Sequence, residues 1–156
     1  MAELKDRLRA DLTTAIKARD TTTMATLRMA LSSIATEEVA SSAARELSDE
    51  EVLAVLTREA KKRREAAEAF EGAGRDALAA QERAEGEVLA GYLPAQLGDD
   101  EIVRLVAEAV DDVAGRLGDQ PGPRQMGPVM KAATARVAGR AEGSRVAAAV
   151  RAALQR

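Results

Sequence analysis

The chain has 156 residues, 23 Lys+Arg against 26 Asp+Glu, a formal net charge of −3, and neither Cys nor His. The missing Cys and His exclude disulfides, thiolate metal sites and the usual nucleophile–base pairs of hydrolases. One Phe, one Tyr and no Trp stand beside 35 alanines, so the core must rest on aliphatic stripes and closely approaching alanine faces. The N-terminal stretch MAELKDRLRADL is charged every two or three residues, unlike a signal or transit peptide. Its stripe Leu4, Leu8, Leu12 and Ile16 predicts a first helix ending near Arg19-Asp20. Thr21 to Thr23 are expected to cap a second helix with the face Met24, Leu27, Leu31 and Ile34. SSAAREL reads as a loop, and Ser48 with Glu51 as a capping box that opens a third helix. That helix has the stripe Leu53, Leu56, Ala60, Ala67 and Phe70, and Gly72 and Gly74 stop it.

A fourth helix is expected from about Arg75 to Tyr92, ended by Pro94, which pushes the preceding residue out of the helical region. After Gly98 comes an acidic first turn, Asp99, Asp100 and Glu101, that suits the positive end of a fifth helix. The face of that helix is Ile102, Leu105, Val106, Val110 and Val113. GDQPGP, 118–123, is a loop. The segment after it reads as two short helices separated by Gly139 and Gly143, the first with the stripe Met126, Val129, Met130, Ala133 and Val137. The expected fold is all-α, with an N-terminal helical bundle over 1–93 and a small C-terminal three-helix domain over 97–156. No stretch approaches the ~18 apolar residues of a spanning helix. A soluble cytoplasmic protein is expected.

Charge is unevenly placed. Residues 98–120 carry two basic and seven acidic groups, whereas 121–156 carry seven basic groups (Arg124, Lys131, Arg136, Arg140, Arg145, Arg151, Arg156) and Glu142 alone, a local charge of +6. Few carboxylates lie near these cations in sequence. Gly127 and Gly143 stand near two helix starts, where bare backbone N–H groups favour phosphate. Arg136, Arg140, Lys131, Arg145, Gly127 and Gly143 are therefore the candidate nucleic-acid contacts, gripping the backbone by shape and charge. Without aromatics to stack on bases, sequence-specific reading of single strands is not expected. Lys61-Lys62-Arg63-Arg64 lies among Glu59, Glu65 and Glu68, and i,i+4 ion pairs account for it. Arg63 falls on the apolar stripe of the third helix, and Arg28 and Arg75 raise the same question of burial. All three are expected to form ion pairs within the bundle. No catalytic residue, cofactor or metal site is expected. Asp111-Asp112 are neighbours about 100° apart on a helix, poor geometry for sharing a proton or a metal.

Tyr92-Leu93-Pro94-Ala95-Gln96-Leu97, Met126-Gly127, Val129-Met130 and Gly139-Arg140-Ala141-Glu142-Gly143-Ser144 resemble the GatB/YqeY family over essentially the whole chain. Leu27-Arg28, Arg63, Phe70 and Gly74-Arg75 extend the match. The resemblance implies that the C-terminal part is similar to the tail domain of the B subunit of the tRNA-dependent amidotransferase. That complex converts Glu-tRNA(Gln) or Asp-tRNA(Asn) into the amidated form, and the tail contacts the tRNA body. Carbon–nitrogen ligase activity with glutamine as amide donor belongs to other domains of that relative, which this chain lacks. Gln125 and Pro128 stand where the family has Asp and Lys around Met-Gly, Glu142 where it has Asp, and Ala138 where it has Lys. The expected function is a non-catalytic, tRNA-associated translation accessory. Its partners would be tRNA and an amidotransferase or aminoacyl-tRNA synthetase. A helical protein-interaction adaptor is the alternative.

Overall fold

The computed structural model describes residues 2–155 and is all-α, with seven α-helices, one short 3-10 turn and no strand among those residues. The chain divides into two compact units, Met1–Leu93 and Pro94–Arg156.

The first unit holds α1 (Glu3–Ala18), α2 (Thr21–Val39), α3 (Asp49–Gly72) and α4 (Asp76–Ala90). The turn from α1 to α2 needs only two residues because Arg19 adopts a left-handed conformation (φ 56°). Asp20, not a threonine, is the N-cap of α2: its carboxylate accepts the Thr23 N–H at 3.1 Å and the Thr23 hydroxyl at 2.7 Å. An ionised acceptor outcompetes the neighbouring hydroxyls for a free helix donor. Ser48 and Glu51 form the capping box of α3 that their spacing predicts, and Arg45 forks onto the Glu51 carboxylate.

Leu8, Leu27, Ile34, Leu56 and Leu89 are fully buried and form the centre of this unit's core. Each such side chain contributes about 1.5–3 kcal/mol relative to exposure. The predicted faces hold at their centres and slip at their edges. Ile16 is 45 % exposed, while Lys5 and Ala15 of α1 are buried. On α3 the buried stripe is Val52, Val55, Leu56, Glu59 and Ala67, turned one residue from the expected Leu53-based stripe. That turn carries Glu59 into the interior and brings Arg63 close behind it.

The second unit holds α5 (Asp99–Leu117), a 3-10 turn (Pro123–Gln125), α6 (Met126–Val137) and α7 (Gly143–Leu154). Its core runs through Ile102, Val106, Ala109 and Val113 of α5, Val129, Ala133 and Val137 of α6, and Val146, Val150 and Leu154 of α7. Gly98 starts α5 with its N–H donated to Glu101 Oε2, and Gly118 ends it at φ 75°, in the left-handed region that glycine enters at no cost. No described helix is long and apolar enough to cross a membrane.

Candidate nucleic-acid interface

The six candidate contacts separate into two groups once α5 packs against α6 and α7. Arg136 is half-buried and lies 3.8 Å from both Glu108 and Asp112, carboxylates that α5 presents. Arg145 donates to Asp99 Oδ1 at 2.6 Å, at the start of α5. Arg140 turns back on its own chain: its guanidinium donates to the carbonyls of Val137 and Arg136, both at 2.9 Å. A cation at that position satisfies carbonyls at the end of α6, where the helix dipole is negative. The scarcity of nearby carboxylates in sequence is therefore no guide to the partners in space: Arg136 and Arg145 pair with carboxylates of α5, and Arg140 with backbone carbonyls. Over residues 94–156 nine basic groups face eight acidic ones, a net of +1, so the +6 segment is matched within its own unit.

Lys131 keeps its exposure and has no ion pair among the described residues. Gly127, the second residue of α6, and Gly143, the first of α7, are also exposed. Pro128 contributes no N–H to the start of α6, and the 3-10 turn ahead of it begins at Gly122, whose N–H is held by Gln125 Oε1 at 2.7 Å. Gln125, standing where the family has Asp, thus does a capping residue's work. Arg124 and Arg151, which charge counting alone did not single out as contacts, are both exposed and free of ion pairs among the described residues. The i, i+3, i+7 spacing of Arg124, Gly127 and Lys131 was the available signal, since it sets all three on one side of the rod made by the 3-10 turn and α6. Arg156, part of the same charge count, lies outside the described residues.

Two motif segments far apart in sequence meet here. The Leu97 N–H donates to the Arg140 carbonyl at 2.7 Å, and Leu97 and Ala141 are both buried in the unit's core. Leu97, the last residue of the Tyr-Leu-Pro-x-Gln-Leu segment, is thereby pinned to the α6–α7 turn.

Residues 5–154 match the family model described as Yqey-like protein. The chain belongs to the YqeY-like family. A search of curated proteins finds no match to it.

In this YqeY-like chain the ion-pair candidates of the first unit also divide. Arg63, with a side chain only 13 % exposed, sits among Glu59 (3.5 Å), Glu82 (3.7 Å) and Glu85 (3.2 Å) and touches the Met29 sulfur of α2. Ser33 donates to Glu59 Oε1 at 3.0 Å and Lys62 reaches the same oxygen at 3.3 Å. Burial pushes the Glu59 carboxyl up, but the donors Ser33 and Lys62, with the Arg63 charge, hold it below the ordinary glutamate range. Arg28 and Arg75 depart from expectation. Both are exposed and make no ion pair among the described residues, because helix packing turns Leu27 inward and leaves its neighbour Arg28 on the far side. A shallow cleft of this unit is lined by Ser33, Thr36, Glu37, Arg58, Glu59 and Lys62. Its charged groups already pair with one another, Arg58 with Glu37 at 2.6 Å and Lys62 with Glu59. Among the described residues no cluster of acidic groups could hold a metal ion.

Proposed function

We propose that this YqeY-like protein is a tRNA-associated accessory that binds its RNA without catalysing chemistry on it. The observation that carries the reading is the exposed face Arg124, Gly127 and Lys131, whose two cations make no ion pair among the described residues, whereas Arg136 and Arg145 pair with carboxylates of α5. Glycine at the middle position lets a phosphate approach the backbone between two cations, a contact that positions RNA without reading bases. Arg151 and the exposed start of α7 at Gly143-Ser144 offer further phosphate contacts. Support also comes from the resemblance of the C-terminal unit to the amidotransferase tail. A chain without His or Cys has few means of releasing ammonia from glutamine, so carbon–nitrogen ligase chemistry would reside in a partner amidotransferase or synthetase.

Filter binding to bulk tRNA across a salt series tests this. Binding should weaken steeply with salt, and Arg124→Glu with Lys131→Glu should lower both affinity and slope, by roughly one unit of slope for each phosphate the variant leaves unneutralised. Absence of binding below roughly 100 μM tRNA at low salt would overturn the proposal, because even non-specific association falls at about 10⁻⁴ to 10⁻⁶ M.

A further inference from the structure

Helix α5 carries more apolar surface than its own unit uses. Its buried stripe is Ile102, Val106, Ala109 and Val113. A second stripe, Val103, Ala107, Val110, Ala114 and Leu117, alternates steps of four and three and is centred about 90° away at ~100° per residue. Val110 is partly buried against the core, but Val103 is 52 % and Leu117 53 % exposed, and Ala107 is exposed as well. The pattern is that of a coiled-coil seam, with large residues one heptad apart and alanines between them that allow a close approach.

The polar border of this stripe selects the occupant. On the side away from the core, the positions flanking it are Arg104 and Asp111, also one heptad apart. Both are exposed, and neither has an ion pair among the described residues. A basic and an acidic residue seven apart on one border are self-complementary under a two-fold axis that sets two copies of the helix antiparallel. Each Arg104 then faces the Asp111 of the other copy, twice per interface, as an isologous contact requires. In the same register Val103 lies opposite Ala114 and Ala107 opposite Val110, large against small. A parallel pairing would set Arg104 against the other flank of the stripe, where Val106 and Val113 are already buried, and would leave the charge unmatched.

We infer that the outer stripe of α5 is a self-association surface, through which two copies of this chain pair antiparallel with Arg104 of each against Asp111 of the other. The stripe spans roughly 21 Å at ~1.5 Å per residue. Five side chains over that length bury less than the ~1,000 Å² of a stable interface, so the dimer is a weak one that forms near about 100 μM.

Sedimentation equilibrium of the full chain from about 5 μM to 1 mM reads this directly. The weight-average mass should rise from 16.5 kDa toward twice that value. Val103→Glu with Leu117→Glu should hold it at the monomer throughout, with helicity by circular dichroism unchanged because both positions are exposed. Arg104→Asp alone, or Asp111→Arg alone, places like charges together and should weaken association several-fold, whereas the two combined restore the pairing and should recover it. A chain that stays monomeric at 1 mM overturns the inference. So does association that survives Val103→Glu/Leu117→Glu, or a double charge swap no better than the singles.

Discussion

Lys5 Nζ lies 2.7 Å from Glu38 Oε1 and 2.9 Å from Oε2, with the two side chains only 10 % and 14 % exposed. Glu38 Oε2 also accepts the Leu47 N–H at 3.1 Å, so one carboxylate joins α1 to the end of α2 and to the loop that leads into α3. The hydrogen bond from Lys5, followed by that from Leu47, holds the Glu38 carboxyl below its ordinary value of 4.5. The Arg45 fork and the Ser48 N–H lower Glu51 to about 2. A carboxyl that ionises more readily in the folded state contributes stability that is complete above its unfolded value and is lost as pH falls through its folded one. The urea midpoint of the N-terminal unit should therefore decline between about pH 5 and pH 2, and Glu38→Gln and Glu51→Gln should each flatten that decline. Acid limbs that run parallel in wild type and both variants would show that neither carboxylate carries the effect.

Arg63 serves three carboxylates from a largely buried position, and removing it leaves them facing one another. Arg63→Ala should cost about 3–5 kcal/mol, the cost of breaking a buried pair by deleting one partner. Arg63→Lys should recover part of that cost, since it restores the charge without the planar fork. Because the chain has two units, the loss belongs in the exchange rates of the α3 and α4 amides, with the amides of 99–154 unaffected. Uniform acceleration across both units would argue against a local role.

Ala138 ends α6 at φ 51°, a left-handed conformation that a Cβ disfavours, and the following Gly139 lies at φ 77°. Ala138→Gly should stabilise the C-terminal unit by about 0.5–1 kcal/mol, the strain relieved being partly offset by the greater freedom of glycine in the unfolded chain. Thermal unfolding checks the sign, and a lower midpoint would contradict the backbone argument.

Arg136 and Arg140 are predicted to matter for folding. Changing both to Glu removes the donors on the last carbonyls of α6 and sets new carboxylates against Glu108 and Asp112. The expected cost is about 1–3 kcal/mol, or roughly 4–8 °C per kcal/mol for a unit of this size. Arg124→Glu with Lys131→Glu should leave the midpoint within a few degrees and act on RNA affinity alone. If the first pair is silent in unfolding and the second is not, the assignment of structural and binding cations is reversed.

The all-α class, the positions of the helices, the capping box at Ser48 and Glu51, and the break at Pro94 were legible from residue order alone. All of these follow from local chemistry: apolar spacing, a hydroxyl beside a free N–H, and a ring that cannot continue a helix. Residue order left open which of two adjacent stripes each helix turns inward. On α3 that choice moved burial from Leu53 to Val52 and Glu59, and on α2 it left Arg28 outside, because a rotation of one residue is settled by what packs opposite. The charge of the C-terminal segment was legible as a sum, but the ion-pair partners of Arg136 and Arg145 were not. Glu108, Asp112 and Asp99 lie some 24 to 46 residues before the arginines they meet, and only the packing of α5 against α6 and α7 brings opposite charges within Coulombic reach. Arg124 and Lys131 are exposed and without an ion pair among the described residues, because the face of α6 that buries Val129 and Ala133 leaves Lys131 on the outer side of the helix.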